Sequence, residues 1–231
     1  MCWNATVSLN TFLFSFFAVN FAYFNNVINI YECLFFYSFI SMQLIEYFTW
    51  KNLNAKNLNN KNLNNKNLNN KNLNNKKINR LLSQLGFFLI FLQPLFFILI
   101  PNNVKFNVKA TLITLYLAFF FLFFIPIKND FSMTKAPNGH LAWNWLKYPP
   151  PIVLLWITFL LVILLYAKKY ILFAIYAIIF LAIYYTYYKT NTWGSLWCWI
   201  ANGLAVLLIM RTFFKSSIPD YLVTNPNANS K

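Results

Sequence analysis

Residues 151–188 read PIVLLWITFLLVILLYAKKYILFAIYAIIFLAIYYTYY, two apolar runs parted only by Lys168 and Lys169. A helix rises about 1.5 Å per residue, so roughly 20 apolar residues carry it across the hydrocarbon of a bilayer. Each run is close to that length, and the two lysines suit a short turn at a membrane surface. The stretch is therefore expected to be a pair of antiparallel transmembrane helices. Its upstream end is the triple proline Pro149-Pro150-Pro151, which halts whatever precedes it and is tolerated in the first turn of a new helix.

The same test, carried outward in both directions, finds five more spanning runs, at about 8–24, 28–49, 82–100, 108–127 and 194–214. The first two are separated by a few residues around Asn25 and Asn26, which predicts a second tight hairpin. The first run is too long for a signal sequence and lacks a small-residue cleavage site, so it is read as a retained helix. The expected fold class is an all-α membrane protein, a bundle of seven transmembrane helices with no sheet. Transmembrane helices occupy 1–50 and 81–214, a low-complexity linker 51–80 and a flexible tail 215–231.

Composition agrees. Of 231 residues, 59% are hydrophobic and only 10% charged, too apolar for a water-soluble domain of this size. The formal charge of +15 would suggest nucleic acid in a soluble chain. Here seven of the nineteen Lys and Arg belong to one repetitive run, Lys51 to Lys77, and the others flank apolar segments, so the expected partner is the lipid bilayer, not nucleic acid. Three cysteines without a CxxC pair, and a single histidine, offer no metal site, and no motif calls for a cofactor.

The repetitive run is KNLNA-KNLNN-KNLNN-KNLNN-KNLNN. A pentapeptide β-helix is excluded, because its inward column would be Lys56, Lys61, Lys66 and Lys71. An Asn/Lys tract, disordered or loosely helical in water and outside the bundle, is the expectation, with no function assigned.

Polar side chains inside apolar helices are costly in lipid and so mark the inward faces. At 100° per residue, Glu32, Gln43 and Glu46 fall on one stripe of the second helix. Asn4, Ser8, Thr11 and Ser15 do so on the first, and Ser195, Cys198 and Asn202 on the seventh. Gln93 precedes Pro94, whose missing donor frees a carbonyl that a neighbour must satisfy. The fifth and sixth helices carry no polar stripe and are expected to face lipid. Glu32 lies near the opposite end from Glu46 and is read as reaching water.

Seven spans would place the N-terminus, the 51–81 linker, the 128–150 loop and the 189–193 loop on one side, side A. All eight tryptophans then fall toward side A, with Gln43, Glu46, His140, Cys2 and Cys198. The candidate ligand-binding residues are Gln43, Glu46, Gln93, His140, Trp143, Trp193, Trp197 and Asn202. Two readings of the 137–151 segment compete: a lid folded over a pocket, with Trp143 packed on the helix ends, or an interfacial anchor with its tryptophans in the headgroups. The Lys and Arg balance places side A in the cytoplasm if the repeat is counted and outside if it is not.

Met1-Cys2-Trp3 with Ser8, the amide and acid between Met42 and Trp50, Gln93-Pro94, His140 to Trp143 and Trp197-Cys198 together resemble an uncharacterised family of multipass membrane proteins of bacteria and large DNA viruses. In that family's pattern the second-helix carboxylate precedes the amide, whereas here Gln43 precedes Glu46, and the repeat has no counterpart. The resemblance implies a seven-helix bundle and brings no activity. Three functions stay open: a small transport or ligand-binding bundle with a polar pocket at side A, a structural membrane or envelope component without a ligand, and a membrane-embedded enzyme using Glu46 and His140.

Overall fold

The computed structural model describes residues 4–59, 65–125 and 130–214, with backbone alone at 55–59, 65–72 and 196–199. Seven α-helices run through them: α1 Ala5–Phe24, α2 Ile30–Asn59, α3 Asn65–Leu99, α4 Phe106–Phe119, α5 Pro150–Tyr166, α6 Tyr170–Tyr187 and α7 Trp197–Phe213. Among the described residues five helical stretches are long and apolar enough to cross a membrane: 5–24, 73–99, 106–124, 170–187 and 193–213. The chain is thus a helical membrane protein by length and composition. α5 is apolar throughout but shorter, and opens with Pro150 and Pro151 in its first turn as the sequence predicts.

Local chemistry fixes the helix ends. Asn4 caps α1, its Oδ1 accepting the Val7 N–H at 2.8 Å. The turns between α1 and α2 and between α5 and α6 are short, and each passes through a left-handed residue, Asn26 (φ 55°) and Lys168 (φ 60°). α4 closes in a single π-helical turn, Phe120–Phe124. α2 and α3 do not stop where the hydrocarbon would, near 49 and 82. α2 continues to Asn59 and α3 begins at Asn65. Hydropathy marks where lipid ends, not where a helix ends, and the tract from 51 to 85 holds no proline or glycine to break one. The repeat's centre, residues 60–64, lies outside the described residues.

The expectation of no sheet is corrected. β1 (Met133–Lys135) and β2 (Leu141–Trp143) pair antiparallel, with Met133 opposite Trp143 and Lys135 opposite Leu141. Gly139, at φ 84°, supplies the left-handed residue of the connecting turn. Strands of three residues are too short to show an alternating pattern, so the sequence carries no periodic signal for them.

The α1 seam faces inward at Ser8, Thr11 and Ser15, which are all buried, but not at Asn4, which is exposed and serves as the helix cap instead. Asn202 of α7 donates to Thr11 at 3.1 Å and joins the two helices. Tyr37 of α2 donates to Asn20 of α1 at 2.9 Å. The expectation that α5 faces lipid is corrected: Val153, Trp156, Ile157, Leu160, Leu161, Ile163 and Leu164 are buried. Its inward face is apolar along its length, so the polar-seam criterion had nothing to detect. α4 and α6 do stand at the periphery, each with few buried residues.

Candidate functional site

The β-hairpin lies across the end of the bundle where α2 leaves, α3 enters, and α6 passes to α7, and two asparagines hold it there. Asn79 of α3 offers both side-chain groups to Met133: its Nδ2 donates to the Met133 carbonyl at 2.9 Å, and its Oδ1 accepts the Met133 N–H at 2.8 Å. On the other edge Asn191, at φ 54°, accepts the Trp143 N–H on its backbone carbonyl at 3.2 Å and donates through its side chain to the Trp143 carbonyl. Each asparagine thus replaces a missing strand, satisfying backbone groups that burial would otherwise leave unpaired. The hairpin turn is tied down as well, since Asn138 donates to Thr192 at 2.9 Å.

So placed, the hairpin drives aromatic side chains inward. Trp143 (1% exposed) stacks on Trp145 (0% exposed), with ring centroids 5.2 Å apart and planes 13° from parallel. Trp50, Trp156 and Trp193 are buried too, and Trp193 meets Trp156 and Tyr184. An interfacial anchor would leave its tryptophans at the headgroups, whereas here Trp143 and Trp145 turn inward and the segment folds over the helix ends. Trp197 and Cys198 lie outside the side chains described, and Trp3 and Cys2 outside the described residues.

Two glycines make this packing feasible. A Cβ on Gly194 would stand 2.3 Å from Trp143 Cε3 and 2.7 Å from Cζ3, so the indole rests directly on the backbone there. A Cβ on Gly86 of α3 would meet Trp145 at 3.2 Å, Met42 at 3.3 Å and Met133 at 3.5 Å.

Glu46 is fully buried beneath this cover, and the Trp143 indole is its hydrogen-bonding neighbour. The contact falls short of full hydrogen-bond geometry, because Trp143 Nε1 and Glu46 Oε1 both lack such a bond among the described residues. The hairpin thus brings a polar group to the α2 stripe. Gln43, one turn earlier on α2, is buried. His140 is buried at the hairpin turn, its Nδ1 without a hydrogen bond among the described residues, and burial pushes its imidazole below the ordinary range.

The remaining candidates lie apart. Asn202 is the α1–α7 bond already described. Gln93 is buried on α3, and neither its Nε2 nor its Oε1 has a hydrogen bond among the described residues. Near the adjoining Pro94, Tyr116 of α4 donates to the Phe91 carbonyl at 2.7 Å, beside the Ile90 carbonyl that the proline deprives of its donor.

A second site escaped the sequence reading. A partly open cavity of about 100 Å³ lies among α2, α3, α5, α6 and α7, walled by Phe35, Phe36, Phe97, Tyr176 and Phe180 with leucines and isoleucines. Glu32 and Arg211 also line it. Neither reaches freely into water: Glu32 is 1% exposed and Arg211 9%. Glu32 is fixed by a reciprocal cap in which its Oε2 accepts the Asn29 N–H at 2.7 Å and its own N–H donates to Asn29 Oδ1 at 2.9 Å. The available signal was a charge at each of two helix ends, which reads equally well as an ordinary flanking residue.

Among the described residues no group of three or more His, Cys, Asp or Glu could hold a metal ion. Compared with protein-family models, curated proteins and solved structures, the chain matches none.

Proposed function

We propose that the protein is a seven-span integral membrane protein that holds the apolar chain of a membrane amphiphile in the cavity between α2, α3, α5, α6 and α7. The same number of spans is what the resemblance to the uncharacterised multipass family implies. On this reading α5 crosses with its short apolar helix and α2 with the stretch from Ile30 to Trp50, which places the hairpin on side A and the charged end of the cavity on side B.

The observation that carries the reading is the cavity's polarity along its length. Arg211 and Ile200, both lining it, are eleven residues apart on α7, about 16 Å of helix and roughly half the hydrocarbon thickness. Charge sits at one end and aromatic and aliphatic carbon fills the rest. That is the profile of one lipid leaflet, from headgroup boundary to bilayer centre. At about 100 Å³ the cavity has room for only a few methylenes, on the order of an engineered apolar cavity of about 150 Å³ that takes up benzene, and its open side leaves the rest of the chain in the bilayer.

The cluster around Glu46 then acts as the seal of side A, and transport or binding through that end is not required. A purely structural role accounts for the packed hairpin but not for the cavity. The experiment is lipid retention by the full chain purified in detergent and read by native mass spectrometry. Leu204→Trp and Leu207→Trp, which fill the cavity from its wall and rim, should each abolish retention of a dioleoyl phospholipid, while Glu46→Gln should leave it unchanged. Undiminished retention in both tryptophan variants would remove the proposal.

A further inference from the structure

We infer that the amphiphile is a zwitterionic phospholipid with a primary ammonium head, its phosphate held by Arg211 and its ammonium by Glu32. The inference rests on the chain-binding reading above and adds the identity of the head.

Both charged groups line one cavity, at the end where α2 begins and α7 finishes. Each is favoured where it stands by its own helix, since a carboxylate suits the N-terminus of α2 and a cation the last turn of α7. The local sequence thus maintains two opposite charges at a depth where a lone ion would be expensive. Placed at the mouth of an apolar cavity, they form a dipolar receptor.

The chemistry of the two groups selects among heads. A guanidinium carries five N–H donors in a planar fork that matches phosphate oxygens, and a carboxylate accepts at two oxygens. Even with Arg211 and Glu32 in mutual contact, the donor count exceeds what one carboxylate accepts, so a phosphate adds to such a contact without displacing it. A fatty acid or a glycerol-headed anionic phospholipid would bring negative charge beside Glu32 and no cation of its own to offset it. A choline head brings the cation without an N–H, whereas the Glu32 carboxylate has acceptor sites beyond the one that takes the Asn29 N–H, and an N–H donor can use them. The ethanolamine type of head meets both groups.

The fixed position of Glu32 also makes the assignment testable. Glutamine replaces glutamate in a capping box, so Glu32→Gln keeps the acceptor for the Asn29 N–H while removing the charge. The full chain is purified in detergent and equilibrated with equal amounts of dioleoyl lipids bearing phosphoethanolamine, phosphocholine or phosphoglycerol heads, and the retained species are counted by native mass spectrometry. The wild-type chain should prefer phosphoethanolamine over phosphoglycerol by about tenfold, the scale of one charge-assisted hydrogen bond. Glu32→Gln should erase or invert that preference. Arg211→Gln should weaken retention of all three heads, and Arg211→Lys, which keeps the charge and loses the fork, should restore it in part.

Equal retention of the three heads by wild type, or a preference left intact by Glu32→Gln, overturns the head assignment and leaves the chain-binding reading standing. Retention that survives both Leu204→Trp and Leu207→Trp overturns the chain-binding reading itself, and this inference with it.

Discussion

Gly194→Ala should undock the hairpin. The added methyl carbon would lie 2.3, 2.7 and 2.9 Å from three carbons of the Trp143 ring. Carbon pairs are at their best near 3.5–4.0 Å, so the ring or the backbone must retreat by more than about 1 Å. Neither has room. Trp143 is stacked on Trp145 and its backbone is held by Asn191 on both polar groups. Gly194 belongs to a 3₁₀ turn in which Ser195 donates from its backbone to the Thr192 carbonyl at 3.1 Å and from its hydroxyl at 2.9 Å. Forced overpacking typically costs about 1–3 kcal/mol, and displacement of an indole from a packed site falls at the upper end of that range. Gly203 provides the control, because a Cβ there meets nothing within 4 Å. In the exposed middle of α7, Gly203→Ala should stabilise by up to about 1 kcal/mol. Thermal unfolding in one detergent, with near-ultraviolet circular dichroism to follow the stacked tryptophans, separates the two. Equal melting temperatures for the two alanine variants, with the tryptophan signal unchanged, would refute the close approach of Trp143 to Gly194.

Three further outcomes follow from the same packing. Gln93→Met replaces an amide that has no hydrogen bond at either end among the described residues with a side chain of similar shape, so it should raise stability by about 1–3 kcal/mol in the same melts; a loss would mean that Gln93 serves a polar partner. His140 is held neutral by burial, so its contribution to docking is present in full above the ordinary histidine value of about 6.5 and is lost as pH falls toward and through its lowered value. Protease cleavage of the hairpin should therefore increase on acidification in that window, and His140→Gln should flatten the profile. Asn79→Ala removes both bonds to Met133 and should cost about 1–3 kcal/mol, visible as faster amide exchange at Met133.

Lipid made the sequence legible where polarity was the question. Ser8, Thr11, Ser15, Gln43 and Glu46 could be assigned inward because an outward polar group in hydrocarbon is penalised, and all five are buried. The same logic failed on α5, where Trp156, Leu160 and Leu164 turn inward on a helix apolar on every face. The hairpin was invisible for another reason: its partners, Asn79 and Asn191, are 54 and 48 residues away from Met133 and Trp143. Glu32 and Arg211 lie 179 positions apart, and only the cavity they share sets either apart from an ordinary flanking charge. For Trp143 and Trp145 the sequence left a packed lid and a headgroup anchor equally open, since it gives the level of a side chain and not its direction; both turn inward.

The double clamp on the hairpin also sets an order on synthesis. When Trp143 and Trp145 leave the ribosome, Asn191 and Gly194 have not yet been made, and α5 and α6 must still fold. Until then two large indoles and a short strand edge have only the Asn79 side of their seat. Closure is thus a late event joining segments of high sequence separation, slow by its topology and exposed to misassembly while it waits. A chain interrupted between residues 150 and 190 would therefore present unburied tryptophans at the membrane surface, giving quality-control factors a ready signal of incompleteness.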